Sequence, residues 1–227
     1  GSVKSYLLPS PARVLFVLAI NIPALAQHIQ TTLIEAFAGL FIGMALAFAI
    51  AVFMDCSQVL YKAIYPLLVI SQTIPVVAIA PLLVLWFGYG IAPKIVLIIL
   101  ICFFPIAIGV LDGFKSVDHD AEVLLRAMGA SPFQTFIHIK LPSCLSGFFA
   151  GLKISVSYAV VGAVVAEWLG GNYGLGVYMT RVRKSYAYDK MFAVIILVSI
   201  ISLLLIELVG LAEKTAMPWK NKIERNG

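Results

Sequence analysis

Asp-His-Asp-Ala-Glu-Val-Leu-Leu-Arg-Ala-Met-Gly-Ala-Ser-Pro-Phe-Gln-Thr-Phe-Ile-His-Ile-Lys-Leu-Pro, residues 118–142, is the longest polar-rich interruption in an otherwise hydrocarbon-like chain. It predicts two short helices around Gly129. Asp118, Asp120 and Glu122 crowd the first turn of the first helix and Arg126 sits in its last, matching the helix dipole. Ala121, Leu124, Leu125 and Met128 recur at i, i+3, i+4 and i+7 and so form one apolar stripe. Gly129 stands where a left-handed residue ends a helix. Ser131 is placed to cap a second helix, with Pro132 at its first position and Gln134 completing a Ser-x-x-Gln capping box. Phe133, Phe136 and Ile137 make that helix's apolar side, and Leu141-Pro142 reads as its end. Either a partner docks on this hairpin or it is a bare surface feature; capping signals alone report helices and not contacts.

On both sides of the hairpin the chain is membrane-like. Hydrophobic residues make up 62% and charged residues 12%, and the mean hydropathy is +1.03, outside the range of water-soluble domains. Crossing about 30 Å of hydrocarbon takes about 20 residues, and five runs qualify: 31–54, 63–87, 91–111, 146–169 and 191–211. The expected fold is all-α, a polytopic membrane helical bundle. Residues 1–30 read as an N-terminal interfacial segment, since Ala12 to Ile20 is short and is followed by Asn21 and Pro23. The chain begins Gly1-Ser2 without methionine, as after a removed segment or from a cloning remnant, and no signal peptide is visible.

Several chemistries are excluded. The net charge of +5 comes without a basic patch interleaved with aromatics, so nucleic acid is not a partner; lipid headgroups are. Cys56, Cys102 and Cys144 form no Cys-x-x-Cys pair and the histidines no metal motif, so no metal site is expected. No phosphate-binding loop of the Gly-x-x-x-x-Gly-Lys-Ser/Thr kind occurs, so nucleotide energy has to come from another subunit. No convergent catalytic set is visible, and the chain is not expected to be an enzyme. An ion-coupled secondary transporter is the competing class. Against it, Glu35, Glu167 and Glu207 lie near span ends, and none is mid-membrane.

Within the spans, Gln72 and Thr73 precede Pro75, marking a kink satisfied by neighbouring helices or a stretch of pathway. Gly147, Gly151, Ser155 and Ala159, then Gly162 and Ala166, form a small-residue stripe for close helix packing, within the subunit or between two copies. Ser157 and Tyr158 lie off that stripe, where they either face a passage or bond a neighbouring helix. Beyond Glu167 the glycine-rich run 170–176 permits a tight loop, and Arg181, Arg183 and Lys184 follow as a basic cluster for headgroups or an acidic partner.

The run Gly129, nine residues, Ile139-Lys140-Leu141-Pro142 resembles the cytoplasmic loop signature of permease subunits in binding-protein-dependent ABC importers. Ser71-Gln-Thr-Ile-Pro, the stretch from Ala80 to Gly90, Cys102-Phe-Phe-Pro and the opening Tyr6-Leu-Leu-Pro-Ser-Pro are similar to the branch importing sulfonates, taurine, nitrate and thiamine-pyrimidine precursors. The stretch from Ala159 to Gly170, Gly174-Leu-Gly and Pro218-Trp219 look closest to the pyrimidine-precursor and riboflavin-like members. Where the family pattern has Glu-Ala-Ala, this chain has Val123-Leu124-Leu125, with an acid displaced to Glu122, so the usual glutamate contact does not carry over.

The resemblance implies an inner-membrane permease domain over 31–227, a periplasmic position for 1–30, and a cytoplasmic coupling hairpin over 116–142. Asp120, Glu122, Arg126, Ala127, Gly129, Ala130, Ser131 and Pro132 would then face an ATPase subunit. Gln72, Thr73, Ser157 and Tyr158 become candidates for the translocation pathway, and Asn172, Arg181, Arg183 and Lys184 for docking an extracytoplasmic binding protein. The implied partners are a second permease copy, two ATPase subunits holding ATP and Mg, and that binding protein; this chain itself carries no cofactor. Such permeases usually have six spans, and the one expected ahead of Leu8-Pro9-Ser10-Pro11 is not in this sequence, which implies a truncation or a missing segment.

Overall fold

The computed structural model describes residues 9–218, and all regular structure among them is helical. Tyr6 to Leu8 and Trp219, which carry part of the resemblance, lie outside the described residues. The first helix, α1, runs Pro11–Cys56 without a break. At 1.5 Å per residue its 46 residues extend about 69 Å, more than twice a hydrocarbon layer. Asn21 and Pro23, which interrupt the apolar run 12–20, do not interrupt the helix. Asn21 turns its amide back to the Val17 carbonyl at 2.7 Å, so its polar group is satisfied on its own helix.

The expected run 63–87 is not one straight span. It divides into α2 (Gln58–Ser71) and α3 (Val76–Phe87), bent by 99°. Pro75 has no N–H to continue the ladder, and the hydroxyls of Ser71 and Thr73 fold back onto the carbonyls of Leu68 and Ile70 at 2.8 and 2.7 Å. The remaining long helices are α4 (Ala92–Lys115), α7 (Leu141–Glu167) and α9 (Tyr188–Ala216). Among the described residues four helical runs are long and apolar enough to cross a bilayer, with the bent pair as a fifth segment.

The hairpin comprises α5 (His119–Ala127) and α6 (Pro132–Thr135). Its second arm does not stop at Leu141-Pro142. Residues Phe136–Lys140 form a π-turn, the Leu141 N–H reaching back to the Phe136 carbonyl, and the helix continues into α7. The wider turn takes in the proline, which lacks a donor and in a regular α-helix would press on the carbonyl four residues back.

The chain forms two compact units, one from 9–41, 75–101 and 157–205, the other from 42–74, 102–156 and 206–218. The first packs Leu25, Val164, Leu175 and Val194 around one core and Ala80, Leu83, Leu97 and Ala166 around another. In the second, α4 and α7 approach until backbones touch. A Cβ on Gly109 would overlap the backbone of Gly147, and one on Gly151 the carbonyl of Pro105. Ser155 adds a bond to the Cys102 carbonyl at 2.9 Å. The small-residue stripe is thus occupied within the subunit.

Candidate functional site

The hairpin is closed by its own side chains. The Asp118 carboxylate accepts from the Asp120 N–H at 3.0 Å, and Glu122 pairs with Arg126 at 2.6 Å one turn on. After Ala127, Gly129 adopts φ +88°; its N–H bonds the Arg126 carbonyl at 3.0 Å, and that of Ala130 bonds Leu125 at 3.2 Å, a Schellman closure. Ser131 accepts from the Gln134 N–H at 3.2 Å while the Gln134 side chain accepts from the Ser131 N–H at 2.8 Å, and Pro132 starts α6. Besides its charged and polar groups, the hairpin exposes large apolar side chains. Leu124, Met128 and Phe133 are 63%, 76% and 70% exposed. Phe136 turns inward onto Phe114, ring centres 5.9 Å apart, and Thr135 is buried.

In the other unit the glycine-rich loop is tied down by a buried polar cluster. The Glu167 carboxylate accepts from the Thr32 hydroxyl at 2.6 Å and from the Gly176 N–H at 2.6 Å. Thr32 in turn accepts from the Leu175 N–H at 2.9 Å. His28 Nδ1 lies 3.0 Å from the Gly174 nitrogen and 2.8 Å from its oxygen. Glu35 pairs with Lys94 at 2.6 Å, and both are buried. Gly174, at φ +131°, has no room for a Cβ because the Glu167 carboxylate occupies that space. These bonds hold the start of α8 (Leu175–Lys184). Tyr178 on α8 meets His28 edge-on at 5.4 Å, and burial, with the Asp189 carboxylate adding to it, pushes its hydroxyl up.

Asn172, Arg181, Arg183 and Lys184 are all exposed, and Arg181 donates to the Asn172 carbonyl at 2.7 Å. Gln72 and Thr73 lie exposed in the α2–α3 break. Ser157, half-buried, and Tyr158, 50% exposed, lie on α7. Sequence reasoning missed the cluster of His28, Thr32, Glu35 and Lys94. Its signal was present, because His28, Thr32 and Glu35 stand at i, i+4 and i+7 and share one face of α1.

Apolar helices long enough to cross a bilayer, joined by a capped polar hairpin, make this a polytopic membrane helical bundle. The chain belongs to the family described as binding-protein-dependent transport system inner membrane component, whose model matches residues 39–216. It is 38% identical to the formylaminopyrimidine transport permease protein ThiX of Halalkalibacterium halodurans, covering 96% of this chain and 88% of that protein. It is 32% identical to the riboflavin transport system permease protein RibX of Chloroflexus aurantiacus, over 95% and 81%. A chain of the inward-facing MetNI methionine ABC transporter shares the fold, with a TM-score of 0.63 at 21% identity over 91% and 96%. The chain is therefore an inner-membrane permease subunit of an ABC importer, a transport component and not an enzyme.

Proposed function

We propose that this permease carries a small heterocyclic solute, of the pyrimidine-precursor or riboflavin kind, through a passage formed with a second copy of itself. Two ATPase subunits, holding ATP and Mg, dock on the hairpin over 116–142, which faces the cytoplasm. The observation carrying this reading is the hairpin itself: the starts of both arms capped by side chains, with Leu124, Met128 and Phe133 uncovered in water. An apolar patch on a rigid, capped element is what a partner's groove recognises. Asp120, Glu122, Arg126, Ala127, Gly129, Ala130, Ser131 and Pro132 form its polar rim and turn. Nucleotide-driven closure then moves the hairpin between two states.

Gln72, Thr73, Ser157 and Tyr158 are assigned to the pathway, and Asn172, Arg181, Arg183 and Lys184 to binding-protein docking on the periplasmic side, which also holds 1–30. The heterocycle is favoured by the two relatives above, whose names specify a formylaminopyrimidine and riboflavin. A sulfonate is the second reading, because 30% identity to the putative aliphatic sulfonates transport permease SsuC of Bacillus subtilis extends over 99% of this chain. The test is purification of the tagged permease from native membranes with its partners, then ligand identification on the co-purified binding protein. An ATPase subunit and a heterocycle-loaded binding protein are expected. A permease isolated alone, with uptake following an ion gradient instead of ATP, would refute the assignment.

A further inference from the structure

At the hairpin end of the second unit a pocket of about 470 Å³ opens beside the α1–α2 turn and the end of α4. Its floor is apolar, made by Met54, Leu111 and Phe114, and its rim carries Lys62, Lys115 and Lys140. Lys140 is neutralised by Asp55 at 2.8 Å. Lys115 has no carboxylate partner at ion-pair distance among the described residues; it donates to the Tyr61 hydroxyl and sits 4.7 and 5.0 Å from the ring centres of Tyr61 and Tyr65. Lys62 makes no ion pair among the described residues. Two ammonium groups therefore face one pocket whose one lining carboxylate, Asp55, is committed to Lys140, while Asp112, outside the lining, acts on Lys115 without an ion pair.

We infer that this pocket binds the phosphate of an anionic phospholipid from the cytoplasmic leaflet. The inference rests on the orientation given under Proposed function. Lysines are point-charge partners for phosphate, and basic pockets between helices on the cytoplasmic side suit anionic headgroups. The surroundings select a lipid over a free anion. The tyrosines stack with ring centres 5.1 Å apart, as amphipathic rings do at headgroup depth. Val59 and Leu67 of α2, 78% and 64% exposed, extend the apolar surface along which acyl chains would lie. One headgroup would then bridge α2, the end of α4 and the π-turn at the foot of α7, the elements that root the hairpin.

The test is native mass spectrometry of the assembled transporter released from bilayers of mixed phosphatidylglycerol and phosphatidylcholine, with ATPase co-purification scored in the same samples. Selective retention of phosphatidylglycerol is expected. Lys62→Ala, at an exposed position, and Lys115→Gln should each lower that retention about fivefold, the value of one lysine near an anionic surface. Equal retention of both lipids, or unchanged retention in both variants, overturns the proposal. Inorganic phosphate displacing the bound species without any preference among lipids would reassign the site to a soluble anion. Loss of the ATPase subunit with lipid retention unchanged would make the rim a protein contact. A preparation that never contains the ATPase subunit, yet selects phosphatidylglycerol, counts against the importer assembly and not against the pocket.

Discussion

The hairpin around Gly129 keeps its charges in water and leaves large apolar side chains uncovered, whereas the cluster around Glu167 buries two carboxylates, a lysine and a histidine. Each reverses the ordinary distribution. In the hairpin, side-chain caps fix the backbone so that the apolar surface stays available. In the cluster, buried polar groups fix a loop whose glycines would otherwise leave it mobile: Gly174, Leu175 and Gly176 are each held through a backbone N–H. Fixed partners make buried charge tolerable, and removing one partner is far costlier than removing both. A surface made to dock, by contrast, can lose side chains without losing the fold.

The sharpest way to break this contrast is Glu35→Leu, which strands Lys94 in the interior. A loss of about 3–5 kcal/mol is expected, read as loss of monodisperse protein on size-exclusion chromatography, and Glu35→Leu with Lys94→Met should recover it. Next, the pair Leu124→Asp and Phe133→Asp should leave thermal stability within about 0.5 kcal/mol. Uptake and ATPase co-purification should fall by more than about tenfold, since buried anchors are worth about 2 kcal/mol each. Two alanine substitutions at left-handed glycines then compare the regions directly. Gly174→Ala strains the backbone and collides with Glu167, costing about 1–3 kcal/mol in thermal unfolding. Gly129→Ala, at φ +88° in open space, should cost only about 1 kcal/mol. The most local effect belongs to Ser131→Ala, also about 1 kcal/mol but confined to the start of α6. It is measured as faster amide exchange at Gln134, with exchange at Gly176 unchanged.

The hairpin was legible because its determinants are local: Asp118, Ser131, Gln134 and Gly129 each act within three or four residues. The apolar runs were legible from length. The break at 72–75 showed as polar residues ahead of a proline, although its 99° angle did not. Leu141-Pro142 misled because a proline stops a regular helix, and the π-turn that admits it is a property of the whole turn. In α1, Asn21 and Pro23 interrupt the apolar run without ending the helix, because Asn21 bonds its own helix at Val17. The buried cluster showed only its polar face on α1, and its pairings were illegible for a different reason. Lys94 is 59 residues from Glu35, and Glu167 is 135 from Thr32, so each charge by itself resembles a loop or span-end residue.

The π-turn has a bearing on the phase of the hairpin. Between Phe136 and Lys140 the chain holds one residue more than a regular α-helical turn would. Deleting one residue there would relax the turn to α geometry and leave α6 pointing nearly where it does now. The same deletion within 141–156 would rotate everything before it by about 100° about the helix axis. The whole exposed patch, Phe133 together with Leu124 and Met128, would then turn away from its present bearing on α7. The aim of the hairpin is thus set by a residue count along α7, with one place in that count where an error of a single residue can be absorbed.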